Sequence, residues 1–384
     1  MSIYTKLSQL KWDFYSILST PFCLAPIKKN KIVLQNFAGR GYGDNPKYIA
    51  EAIIRNNMDY ELVWLCNDLK EDMPPEIRKV KFESPQAYYE MATAGIWISN
   101  VWTGVYSKKR RNQFFLQTWH GSIAFKKIEK AAEGNLSSEY VRTAKRMGKY
   151  CNLLISNATW LTEMYKKDLW YEGDILEKGL PRMEVLYNTP EKVIRQIYSR
   201  FGIERNKKII LYAPTFRKND SIENYKFDYV KCCKAMSDKF GKEYVMLVRL
   251  HPNAARLIEK LNFPKGVYDA TSYPDMQELL AVSDVLITDY SSSMFDMGMI
   301  KKKVFLLAKD YDSYVNKDRG GVQFELNELP FLLSQSEDEL WEKIQNFSEE
   351  YYSSSVKKFM DSLGIIHNEN SVMDIIAEIE KRRI

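Results

Sequence analysis

Nine apolar runs of four to six residues constrain the fold more than any other feature: 32–36, 61–65, 96–99, 114–118, 152–156, 209–213, 245–250, 285–288 and 304–307. None has a polar alternate face, which is how strands buried on both sides of a parallel sheet read. Helical patterns lie between them, over 46–56, 85–95, 138–149 and 275–283. Strands alternating with helices predict an α/β fold. The series breaks at Gly173, Gly179, Pro181 and Pro190 and restarts at Ile209. Two doubly wound Rossmann-like domains are therefore expected, residues 1–187 and 188–384. The last helix, about 371–382, carries Val372, Ile375, Ile376 and Ile379 on one face and is expected to pack back on the N-terminal domain. Paired domains of this kind hold ligands in the cleft between them, at the carboxyl ends of their strands.

Composition excludes several classes. The 384 residues are 45% hydrophobic and 28% charged, ordinary for a globular protein. The five cysteines, Cys23, Cys66, Cys151, Cys232 and Cys233, form no C-x-x-C pair. That argues against a zinc ribbon or a disulfide framework and for a reducing, cytoplasmic setting. No stretch approaches the ~20 apolar residues that span a bilayer. Residues 1–18 read as an amphipathic helix, with Ile3, Leu7, Leu10, Phe14 and Leu18 on one face; Lys6, Lys11 and Asp13 interrupt any leader-like run. That helix is expected to pack on its own domain rather than on a membrane.

Charge is unevenly placed. Residues 106–167 hold 13 Lys/Arg against four Asp/Glu, a net of +9 in a chain whose total is +6. A segment more positive than the whole protein points to an anionic partner: phospholipid, a phosphate-rich polymer or nucleic acid. Trp160, Leu161, Met164, Tyr165, Trp170 and Tyr171 are interleaved with it, a pattern that suits a membrane interface.

Two of only three histidines follow apolar strands, His120 after 114–118 and His251 after 245–250. His367 has no such context. In His120-Gly121-Ser122 the glycine permits a tight turn, and the serine can cap a helix whose N–H groups face an anion. Arg249 and His251 alternate along a strand end, so their side chains share a face that suits phosphate. Ser291-Ser292-Ser293 opens a helix after strand 285–288 and offers hydroxyls and backbone N–H groups together. The loop 212–217 adds Thr215 and the cation Arg217. Several anion-seeking loops without a Walker lysine or a G-x-G-x-x-G suggest a nucleoside diphosphate. Asp310-Tyr311-Asp312 looks like a metal-binding D-x-D. Such acidic pairs are common, and this one lies outside the usual loop context, so no metal and no cofactor are expected.

The chain resembles the CDP-glycerol glycerophosphotransferase family, the teichoic acid primases and polymerases. The resemblance rests on Gly41–Pro46 with its DNP segment, TWHGSIAFKK at 118–127, GLPR at 179–182, LYAPTFR at 211–217, RLHP at 249–252 and ITDYSSSMFD at 287–296, continuing through Lys302 to 310–314. It departs where members commonly read HGTPLK; here Ser122 and Ile123 stand for Thr and Pro. The resemblance implies a GT-B-like fold. It also implies that a CDP-linked polyol donor contacts His120, Gly121, Ser122, Ile123, Ala124, Arg182, Pro214, Thr215, Arg249, Leu250, His251, Ser291, Ser292 and Asp296. The acceptor would be a hydroxyl of a teichoic-acid-like or capsular polymer, or of its lipid-linked saccharide precursor, at the inner face of the membrane, with no nucleic acid involved.

The expected reaction is displacement at the donor's β-phosphorus, with His120 as general base and Arg249, His251 and the Ser291/Ser292 turn holding the pyrophosphate. His120 and His251 are thus the expected catalytic pair. The other readings are a GT-B glycosyltransferase using a sugar nucleotide, which would release a nucleoside diphosphate, and a non-catalytic binder of membranes or anionic polymers.

Overall fold

The structure, a computed structural model, describes residues 17, 19–102, 107–217, 221–311, 314 and 321–382. The helix expected over 1–18, with Ile3, Leu7, Leu10, Phe14 and Leu18, lies outside the described residues, as does Asp312. The chain forms two compact units: residues 1–120, 128–184 and 366–384 make the first, residues 121–127 and 185–365 the second. No described helix is long and apolar enough to cross a membrane.

The first unit is built on seven parallel strands: β1 (Lys28–Gln35), β2 (Glu61–Cys66), β3 (Ile77–Lys81), β4 (Ala94–Ser99), β5 (Phe114–Gln117), β6 (Leu153–Ser156) and β7 (Asp174–Glu177). Their order is β3-β2-β1-β4-β5-β6-β7. Val33 pairs with Val63 on one side and Trp97 on the other. β1 therefore lies inside the sheet, its Ile32, Val33 and Leu34 are buried, and Trp64 and Trp97 lie fully inside. The order of the strands reverses between β1 and β4, the switch point at which open α/β sheets place ligands. Helix Asp44–Arg55 starts just beyond β1 and buries Ile49, Ala50, Ala52 and Ile53. Helix Ser371–Arg382 also belongs to this unit and turns Val372, Ile375, Ile376 and Ile379 inward. Its first turn is capped by Glu184, which accepts from the Val372 N–H at 2.7 Å.

The second unit has six parallel strands, β8 (Lys208–Tyr212), β9 (Tyr244–Val248), β10 (Val267–Asp269), β11 (Val285–Thr288), β12 (Lys303–Leu307) and β13 (Leu332–Ser334). Their order is β10-β9-β8-β11-β12-β13, which puts the switch point between β8 and β11. The segment 121–127 is sewn onto this unit: the Gln323 N–H donates to the Phe125 carbonyl at 2.7 Å and the Lys127 N–H to the Gly321 carbonyl at 3.2 Å. Ile123 and Phe125 are buried beneath it. All nine strands expected from the sequence are present. The four additional ones, β3, β7, β10 and β13, are the four sheet edges.

Candidate active site

At the first switch point the ends of β1, β4 and β5 converge on His120. Its Nδ1 lies 2.8 Å from the carbonyl oxygen of Asn100, just past β4. A carbonyl only accepts, so Nδ1 carries the hydrogen and Nε2 keeps its lone pair. The Asn100 side chain is fixed in turn, donating to Asn36 at 2.7 Å and accepting from the Phe37 N–H at 2.8 Å. The imidazole stacks on Trp119, centroids 4.9 Å apart, and meets Phe37 edge-on at 5.1 Å. Burial pushes the imidazole pKa below its ordinary value; the Asn100 bond and the Asp44 carboxylate oppose this, and Arg182 adds to it. The outcome is a half-buried imidazole, biased by burial toward its neutral form, whose Nε2 keeps a lone pair. Arg182, expected to touch the donor, pairs with Asp44 at 3.0 Å, and both side chains are 8% exposed.

At the second switch point Arg217 binds three strand-end loops to one another. Its Nε donates to Asp310 at 2.6 Å, Nη1 to the Thr215 carbonyl and hydroxyl at 2.7 Å each, and Nη2 to Asp289 at 2.8 Å and Asp310 at 3.0 Å. All five N–H donors are thereby used. The guanidinium also lies 4.8 Å from the centre of the Tyr290 ring and 4.7 Å from that of Tyr314. Asp289 receives the Thr215 and Tyr290 N–H groups at 2.9 and 2.6 Å. Arg217, read from the sequence as a cation offered to phosphate, is instead a buried latch. Asp310 is its partner: burial alone would raise that carboxyl, but Arg217 and the Tyr290 hydroxyl more than offset it and hold the group low. Among the described residues no group of three or more His, Cys, Asp or Glu is arranged to hold a metal ion.

Arg249 is the contrasting arginine. Its one side-chain hydrogen bond among the described residues goes to the Tyr273 carbonyl, and it forms no ion pair there. Burial pushes its pKa down, with Asp275 and Tyr273 opposing. A guanidinium in this state has donors to spare. His251 is exposed and caps the 3-10 turn Pro252–Lys260, its Nδ1 accepting from the Asn253 N–H at 3.1 Å. Here Nδ1 must be bare, so neutral His251 carries its hydrogen on Nε2 and can donate. Ser291 and Ser292 are half-exposed, and the Ser291 and Ser293 hydroxyls are bonded at 2.8 Å. Gly121 has φ +84, and a Cβ there would sit 3.3 Å from the Ser292 hydroxyl. Only glycine fits that approach without strain.

Other expected contacts are internal. The Ser122 hydroxyl donates to Asp296, both fully buried, and Gln277 donates to the other Asp296 oxygen at 3.2 Å. Ile123 and Leu250 are core side chains, and the Leu250 N–H is taken by the Thr271 hydroxyl at 3.1 Å. Pro214 and Thr215 are buried, and Ala124 is half-buried. Lys302, part of the family-like pattern, is pushed down to about 8 by burial. Its ammonium caps the end of helix Met276–Val282 through the Ala281 carbonyl. Sequence reasoning missed Asn36 and Asn100, which brace His120, and Asp289, which organises Thr215 and Tyr290.

The basic segment corrects one expectation. Leu161, Met164, Tyr165 and Tyr171 are buried core residues, and only Trp160 and Trp170 reach the surface. They pack because helix Thr159–Asp168 must bury a face against the sheet. Arg110 is structural too, donating to the Ala25 and Ala92 carbonyls at 2.8 and 3.0 Å. Helix Ser138–Tyr150 does carry a cationic face: Val141, Ala144 and Met147 are buried, while Lys145 and Lys149 are exposed beside Arg142 and Arg146.

Comparison with known proteins agrees with this architecture. The sequence profile described as CDP-Glycerol:Poly(glycerophosphate) glycerophosphotransferase matches residues 17–381. The teichoic acid poly(glycerol phosphate) polymerase of Bacillus spizizenii is 27% identical over 389 residues, covering 98% of each chain. That of Staphylococcus epidermidis is 30% identical over 355 residues, 89% of this chain but 49% of its own length, so this chain spans about half of that relative. The solved structure of the wall teichoic acid polymerase TagF superposes with a TM-score of 0.82 at 28% identity, covering 99% of this chain and 98% of that one. The chain belongs to the CDP-glycerol:poly(glycerophosphate) glycerophosphotransferase family.

Proposed function

We propose that this protein transfers glycerol phosphate, or a related polyol phosphate, from a CDP-linked donor to a hydroxyl of a teichoic-acid-like or capsular polymer or its lipid-linked precursor. The acceptor oxygen attacks the donor's β-phosphorus, and its proton passes to Nε2 of His120. The bond from that phosphorus to the bridging oxygen breaks, and CMP leaves with the electron pair. Arg249, with unspent donors, together with Nε2–H of His251 and the half-exposed Ser291 and Ser292 hydroxyls, binds the pyrophosphate and stabilises charge on the departing CMP. The observation that carries this reading is the His120 tautomer, fixed by the Asn100 carbonyl at 2.8 Å, in a member of this family. A relative supports the donor class: TagF with a histidine replaced has been solved after soaking with CDPG.

The acceptor is membrane-linked in this reading, and the protein works from the cytoplasmic face as a peripheral protein. The cationic face of helix Ser138–Tyr150, with exposed Lys166 and Lys167, is the attachment surface. Each basic residue near an anionic surface contributes ~1 kcal/mol.

The test is to incubate the protein with CDP-glycerol, CDP-ribitol or nucleotide sugars plus a glycerol-phosphate-primed acceptor, and to identify the nucleotide released. CMP with a CDP-polyol supports the reading. Release of a nucleoside diphosphate from a sugar nucleotide overturns it in favour of a glycosyltransferase.

A further inference from the structure

The turn that carries His120 is costly to make. Trp119, the residue before it, has φ +52, a left-handed conformation in a bulky non-glycine residue. β5 ends at Gln117, so the Thr118 and Trp119 carbonyls lie beyond its paired register while still buried. Buried carbonyls need partners. Asn45 supplies one to both: its Nδ2 donates to the Thr118 carbonyl at 3.3 Å and to the Trp119 carbonyl at 3.1 Å. Its Oδ1 accepts the Arg182 N–H at 3.1 Å. Asn45 is wholly buried at the start of helix Asp44–Arg55. No other side-chain type of that size offers two donors and an acceptor. Aspartate would set an oxygen against two carbonyls, and leucine would orphan the Thr118 carbonyl and the Arg182 N–H and leave the Trp119 carbonyl only the Thr118 hydroxyl at 3.2 Å.

We propose that Asn45 is a positioning residue for His120, clamping the left-handed turn at Trp119 so that the imidazole reaches back to Asn100 with Nε2 free. This rests on the reading of His120 as general base. Asn45 does not touch the reacting groups; it acts through the turn. A reacting group displaced by about 1 Å can lose up to ~10²-fold in rate, so the brace has kinetic consequence.

The test is a double-substitution cycle on the full chain. Asn45→Ala should lower kcat by ~10–100-fold and leave the affinity for CDP-glycerol, read by calorimetry, unchanged. In a His120→Ala background the same substitution should cost nothing further, because the group it positions is gone. An equal fold-loss in both backgrounds, or full kcat in the single variant, overturns the proposal. Should Asn45→Ala fail to fold, Asn45→Ser, which keeps one donor at the site, carries the same comparison. Failure of the base reading shows separately, as near-normal turnover by His120→Ala alone.

Discussion

His120 and His251 each follow an apolar strand at the carboxyl end of a parallel sheet, yet their Nδ1 atoms meet opposite partners. His120 faces the Asn100 carbonyl and His251 the Asn253 N–H. One ring is left with a bare Nε2 and the other with Nε2–H. The arginines divide in the same way. Arg217 spends five donors on Asp289, Asp310 and Thr215, while Arg249 spends one on Tyr273. Residue type and strand-end position are shared within each pair. What separates the members is the atom each side chain has been given to hold, and that decides whether it can act on a ligand.

The sharpest way to break the histidine contrast is substitution. His120→Ala should lower kcat by ~10²–10⁴ while sparing donor affinity, since a positioned base acts on the chemical step. His251→Ala should instead raise the dissociation constant for CDP-glycerol. Equal effects of both substitutions on kcat alone would erase the distinction.

The arginine contrast follows. Arg217→Ala leaves the buried Asp289 and the half-buried Asp310 without their cation and should cost ~3–5 kcal/mol of stability, read by denaturant unfolding. Arg249→Ala should leave stability nearly unchanged and weaken CDP-glycerol binding by ~10–100-fold, the worth of a charge-assisted hydrogen bond or two. If Arg217→Ala proved as stable as wild type but lost the donor, the latch reading would be wrong. Ser292→Ala should have a smaller effect, ~0.5–1.5 kcal/mol in donor affinity, because a neutral hydroxyl is exchanged for water.

The smallest effects concern pH. A base must be unprotonated, so activity is present above its pKa and lost as pH falls through it. Burial lowers the His120 pKa, so the acid limb of kcat should lie below the ordinary histidine value of 6.5. Arg182 pushes that pKa down and Asp44 pulls it up. Arg182→Gln should therefore move the acid limb to higher pH, and Asp44→Asn to lower pH. Shifts in the same direction would place the titrating group elsewhere. On the surface, neutralising Lys145, Lys149, Lys166 and Lys167 should abolish salt-sensitive binding to phosphatidylserine vesicles without changing turnover of a soluble acceptor. Wild type that ignores such vesicles at low salt would remove the attachment surface.

The same contrast explains what could be read from the sequence. Strands such as Glu61–Cys66 are buried from Leu62 to Cys66, so they carry a continuous apolar run that is visible in the sequence. The edge strand Ile77–Lys81 buries only Ile77 and Val80 and turns Arg78, Lys79 and Lys81 outward, so it carries no apolar run. Asp174–Glu177 has no fully buried residue at all. At the site, strand-end position was enough to single out His120 and His251. The latch was not legible, because an arginine offered to phosphate and one committed to carboxylates look alike, and the partners lie 72 and 93 residues away. The Asn100 carbonyl is a backbone atom and has no sequence signature. The aromatic residues of 160–171 misled for the converse reason. Interleaving with lysine is also what an amphipathic helix over a core produces, and Tyr165 is fully buried.

With only three histidines in the chain, ¹⁵N NMR on histidine-labelled protein, assigned by single substitutions, reads the central distinction directly. At a pH where both rings are neutral, His120 should show a protonated Nδ1 and a bare Nε2, and His251 the reverse. His120 found with its hydrogen on Nε2 would contradict the account, because the atom required to take the acceptor's proton would already be occupied.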